Sequence, residues 1–179
     1  MTPSEENFDS RETALLPGAA LFELVREKFE RDPSPDARVS FAITGRSMLP
    51  TLRDRIDVVY AGKPDRVGKY DVAIYRRDNG AYVVHRVARL ERDGTFSFCG
   101  DNQTILERGI RRDQILGKVV AFQRGSRLVD CDRNVPYKLF VRFWLAIRPL
   151  RRAWRKVKRT LGNVLRKRAN VENRDLDIL

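Results

Sequence analysis

The sequence holds one histidine, two cysteines and no long uncharged apolar run. Two cysteines, Cys99 and Cys131, are too few for a disulfide framework. Together with the lone His85 they match no zinc spacing, so neither a metal nor any other cofactor is expected. The two thiols read as reduced, as in a cytosolic protein. A bilayer-spanning helix needs about 20 apolar residues. The nearest candidate, Leu139 to Leu150, is interrupted by Arg142 and Arg148. The opening Met1-Thr2-Pro3-Ser4-Glu5-Glu6 is acidic and leads into no apolar run, unlike a secretory signal peptide. The expected location is the cytoplasm, with peripheral attachment to the inner membrane face as an option.

Acidic residues are missing from one region altogether. No Asp or Glu occurs between Asn134 and Val171, a stretch that carries Lys138, Arg142, Arg148, Arg151, Arg152, Arg155, Lys156, Lys158, Arg159, Arg166, Lys167 and Arg168. Those cations account for the whole formal net charge of +12, and the rest of the 179-residue chain balances to zero. Basicity is therefore a property of a tail, as is any anionic surface it meets.

Hydrophobic residues make up 42% of the chain, enough for one core. Three regions are expected: an N-terminal lead and helix over 1–37, a β domain over 38–132, and a basic amphipathic helical tail over 133–179. Residues 1–15 read as a lead. Pro17 opens a helical pattern in which Leu21, Leu24, Val25 and Phe29 recur at intervals of three and four, until Pro33 and Pro35 stop it. From Arg38 to Asp130 the pattern turns to short strands: alternating Val39, Phe41 and Ile43; Ile56 to Tyr60; Asp71 to Tyr75; Tyr82 to Leu90; Phe96 and Phe98; Lys118 to Gln123; Leu128-Val129. Asp78-Asn79-Gly80 is a hairpin turn, since Asn-Gly tolerates the positive φ angles tight hairpins need. The expectation is a mainly β, antiparallel domain. In the tail, Leu139 to Ile147 is bulky and apolar, Pro149 should kink or break the helix, and Leu150, Ala153, Trp154, Val157, Leu161, Val164 and Leu165 form a stripe. Glu172 to Leu179 read as a polar, frayed end.

Three segments bear chemistry. Gly45-Arg46-Ser47-Met48-Leu49-Pro50 follows the first strand, Val84-His85-Arg86-Val87 lies on the hairpin's return strand, and Gly100-Asp101-Asn102 follows the next strand. A serine hydroxyl becomes a nucleophile only when a base removes its proton. His85, with an ordinary pKa near about 6.5, is the base available. A carboxylate on the other ring nitrogen would fix its tautomer, and Asp101 is the best-placed candidate, with Asp57 a weaker one. Taken singly, each segment also fits an ordinary turn or strand residue.

The order of the segments resembles a known family. Gly45-Arg46-Ser47-Met48-Leu49-Pro50-Thr51-Leu52 is similar to the G-x-S-M-x-P-T-L nucleophile box of type I signal peptidases, shared loosely with self-cleaving SOS repressors. Asp54-Arg55-Ile56-Asp57-Val58-Val59 resembles the following D-x-V-x-V box. Asp71-Val72-Ala73 resembles G-D-V, with Tyr70 in place of the glycine. Gly100-Asp101-Asn102 resembles G-D-N, and Gly117-Lys118-Val119 the closing G-x-V. His85 stands where bacterial signal peptidases carry lysine, the pattern of the endoplasmic-reticulum, archaeal and sporulation-type enzymes.

The resemblance spans residues 39–123 and implies a signal-peptidase/SOS-repressor-like fold and a serine endopeptidase. Its nucleophile would be Ser47, its base His85 and its orienting acid Asp101, with an oxyanion hole at the Ser47 backbone N–H. An extended peptide or protein precursor would pair beside Phe41 to Thr44, with Phe41, Ile43, Thr44 and Met48 at the substrate. The chain departs from the secretory enzymes in showing no membrane anchor, and looks like the small anchorless bacterial members. The alternatives are a non-catalytic peptide- or membrane-binding module that keeps the fold, and a nucleic-acid-binding regulator. For residues 138–168 the candidate partner is an anionic membrane, or the stripe packs on the β domain. Nucleic acid is disfavoured, because no helix-turn-helix or RNA-binding signature accompanies the charge.

Overall fold

A computed structural model describes residues 18–160. Expectations for the lead at 1–15, for Pro17, for Leu161, Val164 and Leu165, for Arg166 to Arg168 and for Glu172 to Leu179 lie outside those residues. The domain is mainly β, with eight antiparallel strands in the order β1-β2-β7-β3-β4-β5-β6 and β8 paired to β7. The strands are β1 (Arg38–Ala42), β2 (Val58–Gly62), β3 (Val72–Arg76), β4 (Tyr82–Leu90), β5 (Phe96–Cys99), β6 (Glu107–Ile110), β7 (Ile115–Arg124) and β8 (Arg127–Asp130). Helix α1 (Gly18–Arg31) precedes them and α2 (Val135–Ala146) follows.

The long strand β7 organises the sheet. It pairs with β2 through Lys118 to Gln123, with β3 through Ile115 to Lys118, and with β8 through Ala121 to Arg124. Two cores result. One holds Phe22 and Val25 of α1 with Phe41, Met48, Leu52, Val59 and Phe122. The other holds Ala73, Tyr75, Val87, Phe96, Phe98 and Ile115. Both follow from the two-residue period of strands, which sends neighbouring side chains to opposite faces.

Several sequence expectations shift. The buried face of α1 is Phe22, Val25 and Phe29, whereas Leu24 is exposed. β2 starts at Val58, because Ile56 is exposed in a turn and Asp57 is buried by its ion pairs. β5 is buried on both faces, Ser97 included. The four-residue β6, half of it charged, carries no alternating apolar signal and is not among the strands expected from the sequence. The break at Pro149 is present: α2 ends before Ile147, and residues 148–160 form a second helical stretch.

Candidate active site

Ser47 sits in a tight turn directly after the edge strand β1. Gly45 has φ of 96°, a left-handed conformation open to glycine without strain. Its N–H donates to Asp54 Oδ1 at 2.8 Å, which ties the two arms of the loop together. The chain then curls, with Leu52 N–H donating to Met48 O at 3.0 Å. Met48 and Leu52 are wholly buried and anchor this turn in the first core, leaving Ser47 half-buried above it. Among the described residues, neither the Ser47 nor the Met48 N–H donates to a protein acceptor. Both can therefore serve a developing oxyanion.

His85 lies mid-strand on β4, opposite Ala73 of β3, on the face of the second core. Its ring is buried. Tyr75, two residues along β3, reaches the ring diagonally, with its hydroxyl 3.3 Å from His85 Nδ1. That hydroxyl donates to Glu107 Oε2 at 2.7 Å. Glu107 is held in turn by Arg77, through Nε at 2.6 Å and Nη2 at 2.7 Å. Burial alone would raise the Glu107 pKa, but hydrogen bonds from Arg77 and Tyr75 outweigh it and hold the carboxyl below its ordinary value. Burial, then the Glu107 contact, pushes the Tyr75 phenol far up, so it keeps its proton. That single proton goes to Glu107, and the phenol oxygen accepts from His85 Nδ1–H. Nε2 is left with the lone pair. Burial lowers the His85 pKa to about 4, so the ring is neutral at pH 7.

Nε2 points at the loop after β5. A Cβ built on Gly100 would fall 3.1 Å from His85 Nε2 and 2.7 Å from the Ser47 carbonyl oxygen. One methyl-sized point thus touches both the imidazole and the serine backbone, and a glycine keeps it clear. Asn102 clamps the same loop, with its N–H donating to Ser47 O at 2.7 Å and its Nδ2 to Arg46 O at 3.1 Å. Gly100 therefore lies between His85 Nε2 and the Ser47 main chain. The Ser47 hydroxyl itself holds no hydrogen bond among the described residues.

Asp101 is placed differently from the expectation of an orienting acid. Its two oxygens are bound by Arg86, at 2.8 Å from Nε and 2.7 Å from Nη2, with both side chains almost wholly buried. The reason is alternation: Arg86 follows His85 on β4 and faces the other way, taking Asp101 with it. Arg86 also donates to Tyr70 O and the Tyr137 hydroxyl. The weaker candidate, Asp57, is fully buried and bound by Arg53 and Arg124, a structural brace under the serine loop. Of the residues expected at the substrate, Phe41, Ile43 and Met48 are core side chains and only Thr44 faces solvent. The exposed feature there is the backbone of β1, which pairs only with β2 among the described strands. Tyr75, Glu107 and Arg77 are not singled out as site residues in the sequence, where Asn102 appears only as part of the Gly100-Asp101-Asn102 segment; strand register and loop closure bring the three in.

The C-terminal helices pack against the same loop from outside. Trp144 Nε1 and Arg151 Nη1 donate to Asp101 O at 2.8 and 3.0 Å, and Arg155 Nη2 donates to Asn102 O at 2.6 Å. A cavity of about 270 Å³ lies elsewhere, between α2 and the sheet, where Lys118 is paired with Asp71 and Asp132. It holds none of the Ser47–His85 chemistry. Both cysteines are free thiols, and burial raises the pKa of each, that of Cys131 to about 12. They are therefore poor nucleophiles at pH 7. Among the described residues no cluster of His, Cys, Asp and Glu could hold a metal ion.

The chain matches no protein-family model and no curated protein. The functional reading therefore rests on the residues.

Proposed function

We propose that the protein is a serine endopeptidase of the signal-peptidase-like, histidine-type kind, with the fold that resemblance implies. One observation carries the reading: the buried His85 ring has its Nδ1 3.3 Å from the Tyr75 hydroxyl and turns its Nε2 towards Gly100, where an added Cβ would meet both that nitrogen and the Ser47 carbonyl oxygen. An extended peptide or protein precursor adds to the free edge of β1 by backbone hydrogen bonds. Thr44, beside that edge, is the side chain at its surface.

The Ser47 hydroxyl attacks the scissile carbonyl carbon as His85 Nε2 takes its proton, an approach to about 2.6–3.2 Å that substrate binding completes. The Ser47 and Met48 N–H groups receive the oxyanion. The imidazolium returns the proton to the leaving amine as the C–N bond breaks, and a water, deprotonated by the same ring, releases the acyl group. The Tyr75 phenol oxygen accepts from Nδ1, and Glu107, bonded to that phenol, offsets the imidazolium charge from one residue further out, a duty expected of Asp101 in the sequence.

Among the described residues no helix is long and apolar enough to cross a membrane.

Incubation with a diverse peptide library, read by mass spectrometry, tests the reading. The wild type should cleave a defined set of sites, and Ser47→Ala should lose that cleavage by about 10³-fold or more. Equal cleavage by the variant, or none by the wild type, would overturn it. A binding module without turnover is the second reading, favoured by the Ser47 hydroxyl standing free of His85. It predicts tight peptide capture and intact peptide. A nucleic-acid regulator finds least support, since the described N-terminal region offers one helix, too little for a helix-turn-helix.

A further inference from the structure

The helices after the β domain have two opposite faces. Inward, Tyr137, Val141 and Trp144 of α2 and Arg151 and Arg155 of the stretch 148–160 hold the sheet and the Asp101–Gln103 loop. Outward, Leu139 and Phe143 stand four residues apart on α2, and Leu150, Trp154 and Val157 recur at four and three on the second stretch. These side chains are exposed, Phe143 at 60%, Leu150 at 70% and Trp154 at 61%. Such a row of large apolar residues left in water needs a cover.

The charges around the row say which cover fits. Arg142, Arg152, Lys156, Lys158 and Arg159 lie on the same helices, and among the described residues no carboxylate pairs with any of them. No acidic residue occurs between Asn134 and Val171. A second copy of this chain would bring the same cations face to face across a two-fold axis, which repels. Nucleic acid would satisfy the cations but leave Leu139, Phe143 and Leu150 without an apolar partner. An acyl boundary beneath a layer of phosphates satisfies both at once.

We propose that this outward face docks the protein on an anionic bilayer, with the apolar row at the acyl boundary and the flanking cations on lipid phosphates. The inward face of the same helices grips the loop that clamps Ser47, so docking holds the Ser47 turn at a fixed height beside the lipid surface. The docking does not depend on Ser47 being a nucleophile, and its test does not read catalysis.

The test is co-sedimentation of the full chain with vesicles of phosphatidylcholine alone and of phosphatidylcholine with phosphatidylglycerol, alongside Trp emission. The mixed vesicles should bind at least tenfold more protein, with a blue shift that a Trp154→Phe variant lacks. Binding should fall as salt shortens the reach of surface charge. The double variant Phe143→Ser/Trp154→Ser should bind at least tenfold less and keep the thermal melt of the wild type, because both side chains are exposed. Equal binding to the two vesicle types, or undiminished binding by the double variant, would overturn the proposal. So would a stable dimer that the double variant dissolves, or a DNA duplex captured through the row in place of vesicles.

Discussion

The Tyr75 hydroxyl stands 3.3 Å from His85 Nδ1, and this contact decides which ring nitrogen faces the serine loop. Because the phenol spends its proton on Glu107, it can only accept from the ring. Removing the phenol oxygen should free the tautomer. Tyr75→Phe is expected to lower kcat by about tenfold or more with little change in KM, since tautomer control is felt in the proton transfer. His85 is the sole histidine, so its imidazole ¹⁵N resonances are a direct check. The wild type should show a protonated Nδ1, and Tyr75→Phe a mixture.

The pH profile follows from burial. The base must be neutral to accept a proton, and desolvation lowers the His85 pKa to about 4. The acid limb of kcat/KM should therefore fall near pH 4. A limb near the ordinary histidine value of about 6.5 would mean a solvated ring.

Stability carries the same signature. The folded ring resists a proton that the unfolded ring accepts below about 6.5, so the unfolded state binds more protons in that window. The wild type should lose stability as pH falls from 6.5 towards 4, by up to about 3 kcal/mol relative to His85→Gln. Urea melts of both proteins across that window measure the difference. Parallel curves would deny the burial.

Asp101→Asn separates two roles. The Arg86–Asp101 pair is buried, and removing one charge from such a pair costs about 3–5 kcal/mol. The expected variant is strongly destabilised, yet its folded fraction still reacts at Ser47. Undiminished stability with lost cleavage would return Asp101 to the place of orienting acid.

Gly100→Ala places a methyl 2.7 Å from the Ser47 carbonyl oxygen and 3.1 Å from His85 Nε2. The backbone atom has to move, and the serine turn moves with it. Cleavage should drop by about 10²-fold or more, as expected when reacting groups are displaced by about an ångström. A fully active variant would show that this contact does not position the pair.

The strands were readable because alternation and β-branched runs survive without neighbours: Val39-Phe41, Val72 to Tyr75 and the Asn79-Gly80 turn announce themselves. β6 did not, since Glu107-Arg108-Gly109-Ile110 gains its place only by pairing with β5. At the site, Ser47 and His85 stood out through the resemblance of their segments. Their supporting partners did not. Tyr75 reads as one more apolar strand residue until register sets Ala73 opposite His85, and Glu107 is 22 residues from His85 in sequence but one phenol away in space. Asp101 was the natural guess in a linear reading. In the structure Arg86, which faces away from His85 on the same strand, binds both oxygens of that carboxylate, and the carboxylate compensates the buried guanidinium charge.

Reaction with a serine-directed fluorophosphonate, followed by peptide mapping, addresses the Ser47–His85 partnership without knowledge of any substrate. A single adduct on Ser47 is expected, formed at least 10²-fold more slowly in His85→Ala while that variant keeps its fold. No adduct on Ser47, or one that forms equally fast without the imidazole, would contradict nucleophilic hydrolysis at this site.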